Sequence, residues 1–323
     1  MRSISRLTAL AFITLCNIPA GAPLAQDYPS KPIRIVTGTP GSGADVTARL
    51  IAQGISGGLG QQVIVENRGG GSGIVAGETV ANAAPNGYTL LLFSSPIWLL
   101  HFMQDNVPYD PVTAFSPITL AVSSPNILVV HPSLPVRSVR DLIALAKARP
   151  GELNYASGGT GSPSHLSTEL FKSMADVNMV RIPYTGTGPA LNAVIGGEAQ
   201  LMFPTAPSGM PHVRSGRLRA LAVTSARSSA LAAGLPTVAA SGMPGYESEA
   251  VFGMFAPAKT PAAIVNRLNQ EIVRALNNPN LKERFFNAGT EVVGSSPEAF
   301  TAFLKSDMAK MGKVIKNAGI RAN

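Results

Sequence analysis

The stretch IRIVTGTPGSGADVTARL, residues 33–50, decides how the chain is read. Its first six residues, 33–38, carry β-branched and apolar side chains and read as a strand. From Ala44 the spacing predicts a helix over 44–57, and between the two lies a turn built from Gly38, Gly41, Ser42 and Gly43. A strand that passes through a glycine-rich turn into a helix opens a βαβ unit. Further units follow, with strands at 62–67 and 88–93 and a helix at 73–83. A second set has strands at 127–132, 153–157, 179–184, 199–203 and 218–224, with helices at 138–151, 164–175, 188–196 and 207–215. Alternation of this kind belongs to α/β proteins with crossover helices, and 323 residues suffice for two such units at roughly 100–200 residues each. Two amphipathic helices close the chain. Thr260 is expected to cap the first, with Pro261 at its first position, and Ser296 to cap the second, with Phe300, Leu304, Met308, Met311 and Ile315 as a core stripe.

The turn at 39–45 has four readings. A phosphate loop needs Lys and Ser or Thr after its last glycine, but Ala44 and Asp45 follow Gly43. A dinucleotide fingerprint fits neither Gly41 and Gly43 nor Gly71, Gly73 and Ala76, since no acidic residue stands in the right setting about 20 positions on. Two readings remain. Backbone N–H groups at a helix N-terminus suit a carboxylate; alternatively the glycines only permit a tight turn, with Asp45 capping and pairing with Arg49. A second turn of the same kind, YASGGTGSPSHLSTELF at 155–171, adds the hydroxyls of Ser157, Thr160 and Ser162, so two such loops suggest a cleft between two units. His165 there is either a ligand contact or a histidine satisfied locally at the helix start.

Composition narrows the function. Residues 1–25, with Arg2 and Arg6 before LTALAFITL, read as a secretory signal peptide cleaved after Ala25, and no later segment offers about 18 uninterrupted apolar residues. The single cysteine, Cys16, lies in that leader, so no disulfide, cysteine nucleophile or cysteine metal site is expected in the mature chain. The net charge of +8 comes from scattered basic residues with only 6% aromatics, which argues against nucleic acid. Ser162 and His165 lack an evident acid and no Gly-x-Ser-x-Gly elbow occurs, so a serine hydrolase is disfavoured. His101, His131 and His212 lack metal-ligand spacing. No cofactor and no metal are expected.

Several motifs in one order, among them YPSKPIRIV, PGSGADVTAR, ENRGGGSGIVAGETVANAAPNGYTLLL, LVVHPSLP, ASGGTGSPSHLSTELF, PYTGTGPAL, SGRLRALAVTS, PTVAASGMPGYE and FAPAKTP, resemble the Bug-type periplasmic receptors of tripartite tricarboxylate transporters. The resemblance runs from about Tyr28 to Ile320. It implies a type II periplasmic binding protein fold, with two α/β lobes joined by two crossover segments and a ligand cleft between them. Lobe one would be 27–125 and 251–323, and lobe two 126–250. Carried over by motif, the ligand site would include Thr39, Gly43, Ala44 and Asp45, then Ser157, Thr160, Gly161 and Ser162. Ser94, Ser95 and Trp98 after the third strand, and Thr205, would border the rest. Gly38 stands where the family commonly has Phe or Tyr, and Trp98 either faces the cleft and replaces that wall or packs beneath the edge of a lobe. Thr205 replaces an acid able to hold an ammonium group, so the expected ligand is an organic carboxylate without an amine. The implied protein is a non-enzymatic, monomeric periplasmic receptor that serves the membrane subunits of a tripartite tricarboxylate transporter or, alternatively, a membrane sensor.

Overall fold

The structure, a computed structural model, describes residues 28–69 and 73–321; the leader at 1–25 and Gly71 lie outside the described residues. The chain starts with β1 (Ile33–Thr37), α1 (Gly43–Leu59), β2 (Val63–Asn67), α2 (Ile74–Ala81) and β3 (Thr89–Ser94). Then come α3 (Pro96–Met103) and the long strand β4 (Phe115–Pro125). The middle holds β5 (Ile127–Val130), α4 (Val139–Ala148), β6 (Asn154–Ser157), α5 (Pro163–Ala175), β7 (Val180–Pro183), α6 (Thr187–Ile195), β8 (Leu201–Met202), α7 (Ala206–Arg214) and β9 (Arg219–Val223). The chain ends with β10 (Glu249–Pro257), α8 (Ala262–Leu276), α9 (Pro279–Asn287), β11 (Glu291–Val292) and α10 (Pro297–Asn317).

These strands form two sheets, in the orders β11-β4-β10-β3-β1-β2 and β7-β6-β8-β5-β9. Parallel pairing joins β2, β1 and β3, and also β7, β6 and β8, as the alternation of strands and helices requires. The sheets are nevertheless mixed. β10 runs antiparallel between β3 and β4, and β5 runs antiparallel to both β8 and β9. The chain leaves the first sheet after Pro125 and re-enters it at Glu249, and these two residues face each other in register. The two crossing segments are therefore neighbours on one antiparallel ribbon.

Packing follows the two faces of the first sheet. One cluster sets β1, β3 and β4 against α1 and α8 through Ile35, Ile51, Leu90, Leu92, Ile118, Leu268 and Ile272. The opposite face packs Val36, Leu91, Trp98, Phe255 and Phe300 into a cluster that continues into the second sheet through Leu128, Tyr155 and Phe203. Of the predicted α10 stripe, Phe300, Leu304, Met311 and Ile315 are buried and Met308 packs against the same cluster. Ser138 and Ser296 cap their helices through side-chain oxygens that accept the N–H groups of Asp141 and Ala299. The α8 cap differs from expectation. Pro261 is the capping residue, while Thr260 Oγ1 donates to the Pro257 carbonyl, so its hydroxyl is used in the preceding turn. Among the described residues no helix is long and apolar enough to cross a membrane.

Candidate functional site

The two glycine-rich turns fold into the same device, one in each sheet. In the first, Gly41 has φ 76°, a left-handed conformation that side chains disfavour, and Ser42 caps α1 by accepting the Asp45 N–H at 3.2 Å. The Gly41 N–H then donates to Asp45 Oδ2 at 2.8 Å. In the second, Gly161 also has φ 76° and Ser162 caps α5 by accepting the His165 N–H at 3.4 Å. The Gly161 N–H donates to His165 Nδ1 at 3.2 Å. Each turn is thus a glycine, a serine cap and a side-chain acceptor four residues after the glycine, and the Ser-x-x-acceptor spacing that places these groups is set by the helix pitch.

Different partners brace the two turns. Asn67, at the end of β2, donates from Nδ2 both to Asp45 Oδ1 and to the Gly38 carbonyl, each at 2.8 Å, and Arg49 reaches Asp45 at 3.0 Å. Burial raises the Asp45 carboxyl, but hydrogen bonds from Arg49, Asn67 and Gly41 outweigh it and hold it below the ordinary carboxylate range. Under the second turn lies Arg181 of β7. Its Nε donates to Ser157 Oγ at 2.8 Å, Nη2 to the Gly158 carbonyl at 3.0 Å and Nη1 to Thr160 Oγ1 at 3.3 Å. Burial, with the Arg181 and Lys172 cations nearby, pushes His165 down to about 3, so its imidazole is neutral and free to accept.

The turns meet at one open cavity of about 510 Å³. Thr39, Ser42, Gly43 and Ala44 line it from the first sheet, and Gly159, Thr160, Gly161, Ser162 and Pro163 from the second. Arg68, Gly69, Phe93, Ser94, Pro96 and Phe252 complete the wall. The N–H groups of Gly43, Ala44, Gly159 and Thr160 have no acceptor among the described residues, and α1 and α5 both begin here with their positive dipole ends. Among the described residues no acidic side chain lines the cavity, and the one cation, Arg68, is 2.6 Å from Glu66. Neutral backbone donors at the start of α1 and in the turn before α5 can hold a carboxylate. Among the described residues nothing in the wall would hold an ammonium group by charge.

Of the residues singled out from sequence, Thr39, Gly43, Ala44, Ser94, Thr160, Gly161 and Ser162 come together in this wall. Asp45 and Ser157 do not; both are buried behind the turns, where they receive the bracing hydrogen bonds. Asp45 pairs with Arg49 as the turn-only alternative expected, but the cap of α1 is Ser42 and Asp45 instead accepts the Gly41 N–H. Thr205 bridges to Asn126 and shares a hydrogen bond of 3.0 Å with Ser208 at the start of α7, away from the cavity. Ser95 faces a separate cavity of about 280 Å³ beside Glu249 and Asp307. Of the two placements open for Trp98, the structure has the packed one: it is 1% exposed and lies between Phe255 and Phe300, with Nε1 donating to Asp307 Oδ2 at 2.8 Å. The cause is that 96–103, expected as a loop at its start, is a helix with Pro96 at its N-terminus and an almost wholly apolar sequence, which buries it on all sides.

Sequence reasoning passed over Arg68, Phe93, Phe252 and Arg181. Phe93 ends the apolar run of the third strand, and Phe252 lies in a segment for which the sequence predicts no strand. Arg181 did leave a trace, since a lone arginine inside the short strand VRIP needs a polar partner.

Comparison with known proteins points to one family. The family model described as "Tripartite tricarboxylate transporter family receptor" matches residues 47–320. The chain is 34% identical to Protein BugT of Bordetella pertussis over 323 residues, covering 99% of each chain. Among solved structures it resembles R. palustris Rpa4515 with adipate, at 37% identity and a TM-score of 0.76 over 91% of this chain and 99% of that one. It also resembles the periplasmic binding protein BugD, at 32% identity and a TM-score of 0.73 over 92% of this chain and 100% of that one.

Proposed function

The chain belongs to the tripartite tricarboxylate transporter receptor family, and on that premise we propose that it captures a small organic carboxylate between the turns at 39–45 and 157–165 and hands it to the membrane subunits of such a transporter. The family is a class of periplasmic solute-binding receptors. Export through a leader cleaved after Ala25, the absence of turnover, a monomeric state and lobes at 27–125 with 251–323 and at 126–250 are parts of the same proposal.

One observation carries the reading: the unpartnered N–H groups of Gly43 and Ala44, in the first turn of α1, and of Gly159 and Thr160, in the turn that leads into α5, belong to residues that line a single cavity. A carboxylate entering the open cleft accepts from Gly43 and Ala44 on one side. Closing brings Gly159 and Thr160 to the same anion, so the ligand interacts better with the closed form and shifts the population toward it. Thr39, Ser94, Thr160 and Ser162 supply hydroxyls around it, and Arg68 adds positive potential at the rim. The wall without an acid supports a ligand without an amine. Asp45, Ser157 and Thr205 support the scaffold without touching the ligand. Adipate in the Rpa4515 structure is an anion of the proposed class.

A thermal-shift panel of organic acids on the chain lacking residues 1–25 tests the reading. A carboxylate that binds the folded form at 100 times its Kd stabilises it by about 2.7 kcal/mol. An unchanged melting temperature with every carboxylate overturns the reading, and micromolar binding of glutamate or aspartate overturns the exclusion of amines.

A further inference from the structure

We propose that Phe93 and Phe252 make this receptor selective for a monocarboxylate with a flat apolar body, of the benzoate type; the inference deepens the receptor reading above and rests on it. In the β3–β10 pairing, Phe252 faces Ser94 and Gly253 faces Phe93. Successive strand residues point to opposite faces, so the two rings stand on opposite faces of the first sheet. Their surroundings agree. Phe93 packs against the cluster of Val36, Leu91 and Ile97, and Phe252 against the cluster of Ala44, Ala48 and Ile51. Both nevertheless line the cavity at the end of β3, so they flank it from two sides.

Phe93 holds its position because two neighbours lack side chains. A Cβ added at Gly38 would lie 3.1 Å from Phe93 Cε2, and one added at Gly73 would lie 2.5 Å from Cε1. Gly38 is not among the glycines with left-handed backbone, so its own conformation would accept a side chain. A side chain there would press on the Phe93 ring, which would have to give by a few tenths of an ångström. An aromatic wall is thus provided by Phe93, and an aromatic residue at position 38 would compete with it for the same space.

The chemistry of the wall then selects the ligand. The carboxylate end finds the N–H groups of Gly43, Ala44, Gly159 and Thr160. The body must lie against Phe93, Phe252, Pro96 and Pro163. A second carboxylate placed among these groups loses water against apolar rings, and the cation that lines the cavity, Arg68, is half exposed with its Nε already on Glu66 at 2.6 Å, so pairing with it gains little. A flat ring gains stacking contacts on the same surface.

Calorimetry with benzoate and adipate on the chain lacking residues 1–25 is the test. The wild-type chain is expected to bind benzoate at least roughly tenfold more tightly than adipate, and Phe93→Leu, which keeps apolar volume but no ring, to weaken benzoate by roughly five- to tenfold with adipate changed less than about twofold. Gly38→Phe on a Phe93→Ala background returns a ring to the wall and recovers the benzoate preference. Equal or tighter adipate binding in the wild type overturns the inference and leaves the receptor reading intact. Equal weakening of both ligands by Phe93→Leu also overturns it. Silence with both probes and with the whole organic-acid panel overturns the inference and the receptor reading together.

Discussion

The turns at 39–45 and 157–165 share a backbone and differ in the sign of what braces it. The first is tied down by an anion, Asp45, which takes up the Gly41 N–H inside its own helix. The second is tied down by a neutral imidazole, His165, and by the Arg181 cation beneath it. For an incoming carboxylate the two halves are therefore unequal. Asp45 opposes the anion except as far as Arg49 neutralises it, whereas Arg181 adds an attraction that acts through the turn without reaching the cavity wall. Similar geometry can thus be assembled with opposite electrostatics, and in the proposed clamp the second sheet is the stronger half.

Replacing the cation gives the largest test of that asymmetry. Arg181→Met removes three hydrogen bonds from a charged donor, at ~1.5–3 kcal/mol of fold stability for such an interaction, and with them the through-space attraction, so the affinity for a carboxylate falls roughly 3- to 10-fold. Arg181→Lys keeps the charge without the fork and falls between. An affinity loss below about threefold for Arg181→Met would remove the inequality between the halves.

Acid separates the turns next. The His165 pKa lies near 3 when folded, against an ordinary value of 6.5, so between these values the unfolded chain binds the extra proton. Stability from His165 is full above pH 6.5 and falls on acidification, by up to about 1.4 kcal/mol per pH unit. His165→Asn, whose side-chain oxygen can still accept from Gly161, flattens that slope in denaturant titrations between pH 6.5 and 4.5. Asp45, held low when folded, has its stabilisation intact above its ordinary value of 3.8 and loses it only as pH falls through the folded value. The second turn loosens first on acidification; hydrogen exchange at pH 5 that opens the first turn earlier would contradict this.

Two smaller effects concern geometry. Gly161→Ala forces φ 76° on a residue with a Cβ and places that atom 3.1 Å from the Met103 side chain, while Gly41→Ala meets the same strain with no atom within 4 Å. Both lower stability by about 1–2 kcal/mol, with the larger loss at Gly161, in equilibrium denaturation. Asp45→Asn keeps an acceptor for Gly41 but loses the charge that pairs with Arg49. Its cost is about 1 kcal/mol, and its carboxylate affinity holds or rises, measurable by calorimetry.

The turns were legible because their chemistry is local: Gly-Ser followed by a polar residue at helix spacing, after an apolar strand, encodes the cap and the positive φ within six residues. What surrounds them was not. EAVFGMFAP carries no alternation that separates a core strand from a cavity wall, so β10 and Phe252 stayed hidden until β3 paired beside them. PIWLLHFM has no polar face, so neither a helix period nor the inward direction of Trp98 can be read from it. Asp307, the partner of Trp98, is 209 residues away. Side chains that depend on such distant partners leave little imprint on neighbouring residues.

The donors proposed for the ligand belong to the main chain of Gly43, Ala44, Gly159 and Thr160. A codon change alters a side chain and leaves the peptide N–H in place, proline excepted. Capture of the anionic group is therefore buffered against most point mutations, whereas the rings of Phe93 and Phe252, which meet the rest of the molecule, can be exchanged one nucleotide at a time. A receptor lineage built this way can drift from one acid to another without passing through a form that binds none.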